Sequence, residues 1–302
     1  MRILIPVDGS LFNQKAIEFV VARQAAMDET LEVELLHVVE EFPVGMVSRF
    51  ELDNYMEVHS REVFDALRPL YADTALKVHE EVRDGHAGQI IYEESKAFGA
   101  DLIVMGCRGH TPMHGYFLGS VSRRVLAQTV LPVVLVGENA IRTGDVFRVG
   151  LAVDASEYSA AMVKALVKLK AFMGKRFEVF VLSAVDAAPD FNFNRAVTEE
   201  VAEMAKLLMP YYERKQVEEF EANTKHIWPM LEAKGIEVKP VCLKGDASEE
   251  VVKFANDNLD MLMVGSHGTG HFMAAVLGST ALHIASAVTL PLMVVQAITL
   301  ED

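Results

Sequence analysis

One pattern of glycines occurs twice in this chain of 302 residues and constrains its fold more than any other feature. Each copy has the form Gly-x2-Gly, nine further residues, then Gly-Ser. Each follows a short apolar run, 102–105 or 261–264, typical of a strand buried on both faces. Each copy is therefore predicted to be a loop that leaves the carboxyl end of a strand. The two copies are 106–109 with 119–120, and 265–268 with 278–279.

The chemistry of this pattern suits an anionic ligand. The leading glycines permit positive φ and a close approach of backbone to ligand. The Gly-Ser step is predicted to open a helix over 121–129 in the first copy and 280–288 in the second. The unpaired N–H groups and the positive dipole end of such a helix form a natural phosphate cradle. A single copy is equally consistent with plain turn glycines, whereas two copies at one spacing favour a ligand loop.

The rest of the chain is duplicated as well. Strand and helix patterns alternate through each half, which predicts α/β domains, each with an open parallel sheet covered by helices on both faces. We expect domains at 1–138 and 146–298, joined by a linker at 138–145. The matching positions are Asp8 with Asp154, Gly85 with Gly245, Gly106 with Gly265, Gly119 with Gly278, and the 131–133 segment with 290–292.

The second half is the longer one. The spacing from Asp154 to Gly265 exceeds that from Asp8 to Gly106 by 13 residues (111 against 98). The excess lies in a predicted helical insertion at about 186–234, interrupted by Pro210 and Pro229. It is interpreted as a decorative arm, with a lid or a contact surface as the alternative.

Composition excludes several classes of protein. The net charge of -15 argues against nonspecific nucleic-acid binding, so no nucleic-acid partner is expected. No apolar run reaches the length of a membrane-spanning helix, and the apolar start is too short for a signal sequence. The two cysteines, Cys107 and Cys242, indicate neither a disulfide framework nor a zinc cluster. A cytoplasmic location is expected.

Asp8 is the first candidate side chain for ligand binding. It ends the first strand, which we expect beside the strand that launches the Gly106 loop, so both face one crevice beyond the strand ends. Its carboxylate can accept hydrogen bonds from a ribose hydroxyl or an adenine amino group. Its other role, compatible with the first, is to cap the helix that follows, for which Ser10 is the N-cap candidate.

Catalytic and metal sites are not indicated. The loop histidines His110, His114, His267 and His271 lack the carboxylate or cysteine spacing of a metal centre, and are interpreted as loop residues. No GxSxG elbow and no GxxxxGK[ST] loop occurs, and no general base is evident. Catalytic residues are therefore not assigned, and rapid ATP hydrolysis is not predicted.

The glycine pattern of both halves resembles the nucleotide-binding motif G-x2-G-x9-G-[S/T] of the universal stress proteins, and the resemblance covers nearly the whole chain. It implies two tandem Rossmann-like domains of five parallel strands, related to the adenine nucleotide alpha hydrolases. It also implies contacts of Asp8 and Val38 with the adenosine, and of Met105 on the base side. The remaining residues implied for the first site are Pro6, Val7, Gly106, Arg108, Gly109, Gly119, Ser120 and Val121.

Carried onto the second half, the resemblance implies a second site with two departures. Ala184 stands where the first half has Val38, and His267 stands where it has Arg108. Neither change blocks a nucleotide, and both suggest that the two sites differ in affinity. The residues implied for this site are Asp154, Ala184, Val264, Gly265, His267, Gly268, Gly278, Ser279 and Thr280.

The resemblance thus implies a stress-response regulator that binds ATP, or ADP or AMP, with Mg²⁺ held by the nucleotide phosphates. The alternatives are a nucleotide-independent dimerisation or interaction module and a slow ATPase or adenylylating enzyme. Family members pair through their last strands, here 133–136 and 292–295. We expect these strands to associate as a pseudo-dimer within the chain, with a homodimer as a further possibility and a client protein as the reader of the bound state.

Overall fold

Ten strands form one continuous sheet in the computed structural model of the chain. The structure describes residues 1–40, 49–107, 118–137, 144–187, 199–266 and 277–296. The first half contains β1 (Arg2–Val7), α1 (Leu11–Ala25), β2 (Glu32–Val39), α2 (Arg49–Leu67), β3 (Lys77–Asp84), α3 (Ala87–Ala97), β4 (Leu102–Gly106), α4 (Ser120–Gln128) and β5 (Val133–Val136). The second half contains β6 (Phe147–Ala152), α5 (Glu157–Lys168), β7 (Phe177–Val185), α6 (Glu199–Thr224), α7 (Trp228–Glu232), β8 (Val238–Lys244), α8 (Ala247–Asn258), β9 (Met261–Gly265), α9 (Ser279–Ala287) and β10 (Leu292–Val295).

The strand order is β3-β2-β1-β4-β5-β10-β9-β6-β7-β8. Within each half all neighbouring strands are parallel. The chain winds outward from β1 to β3, then returns to place β4 on the other side of β1, and the second half repeats this with β6 and β9. The strand order therefore reverses between β1 and β4 and between β6 and β9, where open α/β sheets hold their ligands.

The two halves meet at an antiparallel pair of strands. β10 lies along β5 with Leu292 opposite Leu135 and Met293 opposite Val134. Because β4 is parallel to β5 and β9 is parallel to β10, the carboxyl ends of β4 and β9 point in opposite directions. The carboxyl strand ends at the two reversals of strand order therefore lie on opposite sides of the sheet.

Helices cover both faces of the sheet, as the alternating pattern predicts. One face carries Phe19 of α1, Phe64 of α2 and Leu166 of α5 in a single apolar core. The other carries Ile91 of α3 and Ile284 of α9, with residues of α4 and α8. Alternate residues of each buried strand enter the two cores, which explains why these strands are apolar throughout. The predicted α/β fold class is confirmed.

Of the two prolines expected to interrupt the helical insertion, Pro229 lies just after a break in the helix and Pro210 does not. Pro210 lies inside α6 and does not interrupt it. A proline in a helix removes one backbone hydrogen bond, and Pro210 does so at an exposed position of α6. Pro229 occupies the first turn of α7, the position where proline is best tolerated. Residues 188–198 of the insertion and 138–143 of the linker lie outside the described residues.

A buried arginine joins the halves at a second place. Arg23 of α1 donates hydrogen bonds to the carbonyls of Phe172 (3.0 Å) and Met173, and its guanidinium lies 3.7 Å from the ring centroid of Phe147. Burial lowers the pKa of Arg23 to about 10, so the group stays charged at neutral pH. The side chain matching Arg23 in the second half, Leu169, is fully buried and apolar. This contact therefore has no symmetric copy.

Candidate functional site

Each glycine loop begins and ends at one point of the sheet. The N–H of Gly119, at the start of α4, donates to the carbonyl of Cys107 beyond β4 at 3.1 Å. In the second half the N–H of Gly278 donates to the carbonyl of Ser266 at 2.8 Å. These bonds hold the first turns of α4 and α9 against the carboxyl ends of β4 and β9, next to the reversals of strand order.

The first turns of α4 and α9 present backbone donors. Gly119 and Gly278 are the N-caps, and within the described residues no side chain caps either helix. By contrast, Asp246 caps α8, and its carboxylate accepts hydrogen bonds from the N–H groups of Ser248 and Glu249. The leading N–H groups of α4 and α9 are thus left for an anion, which fits the phosphates of a nucleotide.

The first glycine of each loop differs from the expectation of positive φ, while the second, Gly109 or Gly268, lies outside the described residues. Gly106 and Gly265 are the last residues of β4 and β9 and are extended. Their use is therefore the absence of a side chain at the strand end, where backbone can approach a ligand, and not positive φ.

Asp8 lies where β1 passes into α1, and β1 is the neighbour of β4, the strand from which the first glycine loop leaves. Its Oδ1 accepts a hydrogen bond from the N–H of Ser10 at 2.9 Å, and its own N–H donates to Oδ1 of Asn13. The amide nitrogen of Asn13 donates in turn to the carbonyl of Pro6 at 3.3 Å. Asn13 therefore fixes the turn on which Asp8 sits. Ser10 occupies the N-cap position of α1, but its hydroxyl makes no capping hydrogen bond.

The second half builds the same turn from hydroxyl groups. The N–H of Asp154 donates to Oγ of Ser159 at 3.0 Å, and Ser159 donates back to the carbonyl of Asp154 at 2.8 Å. Oδ1 of Asp154 accepts from the N–H of Ser156 at 3.0 Å and also from its hydroxyl. Asp154 thus occupies the same place as Asp8, held by shorter side chains.

One face of the sheet carries three residues predicted for the first site: Val38 and Met105 toward the adenosine, and Val121 near the ribose and phosphates. Val38, Met105 and Val121 all belong to or pack against the core beneath α3 and α4. Val7 does not join them, because its side chain enters the core on the opposite face with those of α1 and α2. Ala184 and Val264 take the positions of Val38 and Met105 in the second half.

A buried histidine precedes Val38 on β2. Nδ1 of His37 lies 2.8 Å from Oγ of Ser60 in α2, and its ring makes edge contacts with His59 and Phe64. Burial lowers the pKa of His37, so the ring is neutral at neutral pH and adds no positive charge to the site. In the second half Ser183 takes this position and accepts a hydrogen bond from Asn223 of α6 at 3.1 Å.

Each site has one further hydrogen bond made by a residue whose counterpart in the other half is of a different type. Oγ of Ser122 in α4 donates to the carbonyl of Gly106 at 3.3 Å, whereas Ala281 stands at the matching place in α9. At the second site Oγ of Ser266 lies 2.5 Å from Oε1 of Gln296, whose amide nitrogen donates to the carbonyl of Leu126 at 2.7 Å. The second site is therefore fastened to the end of α4 in the first half.

Most of the predicted residues lie near the carboxyl ends of the strands at the two reversals of strand order. The others lie outside the described residues. Arg108, Gly109, His267 and Gly268 lie outside the described residues. Pro6 is buried in β1, while Ser120, Ser279 and Thr280 open α4 and α9. Sequence reasoning missed Asn13 and its counterpart Ser159. Their signal was a polar residue five positions after each aspartate.

Two classes of site are not seen in the described part of the chain. Its residues contain no cluster of three or more His, Cys, Asp or Glu side chains placed to hold a metal ion. Among its helices, none combines the length and apolar character that crossing a bilayer requires.

The fold defines the class of the protein: a doubly wound α/β protein in which each half places a helix start beside a reversal of strand order. Comparison with known proteins gives the particular family. The sequence profile of the universal stress protein family matches residues 1–137 and 146–296, and the chain belongs to this family.

Individual relatives agree with this assignment. A universal stress protein of Mycolicibacterium smegmatis is 25% identical over 311 residues, covering 97% of this chain and 96% of the relative. One from Methanocaldococcus jannaschii is 31% identical over 139 residues, which is 45% of this chain and 81% of the relative. The crystal structure of a universal stress protein from Archaeoglobus fulgidus covers 98% of this chain and 96% of its own, with a TM-score of 0.59 at 21% identity. It shares the fold.

Proposed function

We propose that this protein binds an adenine nucleotide, ATP foremost, in each half and acts as a cytoplasmic stress-response regulator. The observation that supports the proposal is the hydrogen bond from the Gly119 N–H to the Cys107 carbonyl, which is repeated from the Gly278 N–H to the Ser266 carbonyl. In both halves it holds a helix start with uncapped N–H groups at a reversal of strand order. That is where an anionic nucleotide binds best.

In each proposed site, three kinds of group bind different parts of the nucleotide. The backbone of the glycine loop and the first turn of α4 receive the phosphates of the first-site ligand. The carboxylate of Asp8 accepts hydrogen bonds from the ribose or the adenine amino group. Val38 and Met105 provide the apolar surface for the base, and Arg108 pairs with a phosphate. Mg²⁺ arrives with the phosphates, whose oxygens it prefers.

The two proposed sites are similar but not equal. The first turn of α4 is followed by Arg123 and Arg124, whereas Leu282 and His283 hold the matching positions in α9. A more positive helix start favours the polyphosphate at the first site. Ala184 also offers the base less apolar surface than Val38 does. We therefore propose that the first half binds ATP more tightly.

The arrangement of the halves belongs to the same proposal. Units 1–138 and 146–298 act as a pseudo-dimer, and the β5 and β10 pairing in one sheet supports this. Because no general base is evident from the sequence, we propose that the bound nucleotide serves as a signal read by a client protein and not as a substrate.

The decisive experiment counts nucleotides. Freshly purified protein is denatured, the released small molecules are identified by mass spectrometry, and stripped protein is titrated with Mg-ATP by calorimetry. We expect two sites per chain, the first of higher affinity, and released ATP rather than ADP. Absence of heat at millimolar Mg-ATP would exclude nucleotide binding and leave an interaction module. Release of ADP together with steady phosphate production would indicate an ATPase.

A further inference from the structure

Helix α6 reaches beyond its counterpart in the first half. Asn223 of α6 bonds to Ser183 on β7 where Ser60 of α2 bonds to His37 on β2, so Asn223 and Ser60 mark equivalent positions. By this alignment the first residue of α2, Arg49, corresponds to Tyr212. Residues 199–211 of α6 therefore have no counterpart in α2 as the structure describes it. At the rise of an α-helix this overhang is about 20 Å long.

The overhang carries an apolar strip on one side. Met204, Leu207 and Tyr211 are 61%, 79% and 53% exposed, and their spacing of three and four residues places them on one helical face. Leu208, half-buried, borders them. We call these four residues the α6 strip. Single exposed apolar side chains are ordinary, whereas a contiguous row of them marks a contact surface.

Among the described strands, those that could pair two copies are already paired or carry features that disfavour pairing. β5 and β10, the strands through which two copies could pair, already pair with each other. The outer strand β3 carries charged residues such as Lys77, Glu81 and Arg83. The other outer strand, β8, contains Pro240, which lacks a backbone donor. Charge and proline are the usual means by which edge strands avoid pairing.

The α6 strip is complementary to itself. If two α6 helices pack antiparallel about a two-fold axis at Leu207 and Leu208, each Met204 meets a Tyr211 of the other copy. The leucines meet each other at the centre. A two-fold interface requires this self-matching, because the same surface serves both partners.

The charges beside the strip match in the same arrangement. Glu203 and Arg214 are both exposed and lie on the same flank, one at each end of the strip. Antiparallel packing brings residues of the same flank together, so each Glu203 faces the Arg214 of the other copy. We infer that the α6 strip is the contact surface for a second copy of this chain, which forms an antiparallel helix pair. This inference does not depend on nucleotide binding.

The first test compares two substitutions in one helix. Sedimentation velocity of the full chain, over concentrations from about 1 to 100 μM, should show a reversible dimer. Leu207→Glu, at the centre of the strip, should weaken dimerisation by about tenfold or more. Val217→Glu is the matched control. Val217 is 57% exposed on the same helix but lies about 120° around it from Tyr211, so dimerisation should be unchanged.

The second test uses the flanking charges. Glu203→Arg and Arg214→Glu should each weaken the dimer severalfold by placing like charges opposite each other. The double variant should recover it, because the ion pairs are then reversed. Recovery distinguishes antiparallel self-pairing from a general effect of surface charge, and circular dichroism confirms that every variant is folded.

Three outcomes would overturn the inference. Wild-type protein that is monomeric at 100 μM has no such contact. A dimer that Leu207→Glu leaves intact forms through another surface. Single charge variants whose loss is not restored in the double variant exclude the antiparallel arrangement.

Discussion

The two halves share one backbone plan and fill it with different chemistry. On β2, facing α3, the first half buries Glu34 beside Glu94. At the matching positions of β7 and α8 the second half packs Phe180 against Phe254, with ring centroids 6.0 Å apart and ring planes tilted by 55°. A carboxyl pair thus replaces an aromatic pair without change of strand order.

The replacement changes how stability depends on pH. Arg83 pairs with Glu94 at 3.1 Å, while Oε1 of Glu34 is buried without a hydrogen-bond partner among the described residues. Burial, with a smaller contribution from Glu94, raises the pKa of Glu34 to about 7. The comparison teaches that buried strand positions are set by shape and periodicity, whereas their polarity is open to change after duplication.

The largest expected difference between the halves comes from closing one phosphate cradle at a time. Gly119→Val should lower first-site affinity by about 100-fold or more, because the branched side chain occupies the space of the phosphates. Gly119 has φ of −59°, which valine also adopts, so the fold should persist. Gly278→Val is the matched variant for the second site, and calorimetry should show one remaining site in each. Two intact sites in Gly119→Val would contradict the assignment.

The carboxyl pair makes the first half sensitive to pH. The folded-state pKa of Glu34 lies above its unfolded value, so its favourable contribution is complete below about pH 4.5 and is lost as pH rises through about 7. Between about pH 5 and pH 8 the free energy of unfolding should fall by about 2 to 3 kcal/mol from this group. Urea unfolding of wild type and Glu34→Gln should measure it.

Glu34→Gln keeps the shape and removes the charge, so the fall should disappear. Phe180→Leu, at the matching position of the second half, is the control and should keep the wild-type pH dependence. An identical fall in wild type and Glu34→Gln would show that other groups cause it.

The aspartates that end β1 and β6 should have moderate effects. Asp8→Ala should cost about 2 kcal/mol of nucleotide binding at the first site, or about 30-fold in affinity, because one charged acceptor is lost. Asp154→Ala should do the same at the second site. Calorimetry in Gly278→Val and Gly119→Val backgrounds isolates each site. If Asp8→Ala instead unfolds the protein without nucleotide, holding the Ser10 turn is its main role.

The smallest effect is expected for Gln296, which links the second site to the first half by hydrogen bonds. Gln296→Ala removes the contacts with Ser266 and with the Leu126 carbonyl, each worth about 1 kcal/mol. Second-site affinity, measured in the Gly119→Val background, should fall severalfold. First-site affinity, measured in Gly278→Val, should stay within twofold. Equal losses would show that Gln296 supports the seam as a whole and not the second site.

The sequence predicts the features that rest on periodicity and glycine. The apolar runs 102–105 and 261–264 are typical of buried strands, and both lie in the interior of the sheet. Gly119 and Gly278 begin helices within one residue of the prediction. Asp8 and the first glycine loop were expected on neighbouring strands, and β1 does pair with β4. These features depend on local pattern, which a sequence displays directly.

Other features depend on contacts that local pattern does not reveal. Asn13 and Gln296 act through hydrogen bonds to backbone groups, one of them 170 residues away. The face on which Val7 lies follows from the alternation of β1, but only the assembled sheet shows which face holds the site. The prediction that Pro210 interrupts the helix was wrong, because α6 continues through this exposed position despite the loss of one backbone hydrogen bond.

Arg23 shows what joining the halves in one chain makes possible. In a pair of identical chains, an arginine introduced at this position would appear on both sides of the contact at once. Two cations would then be buried in the same interface. Here one side carries Arg23 and the other carries Leu169. Covalent linkage also keeps the halves together at any dilution and prevents exchange of partners. A covalent link between unlike halves therefore allows each side of the contact to carry a residue that the other side does not.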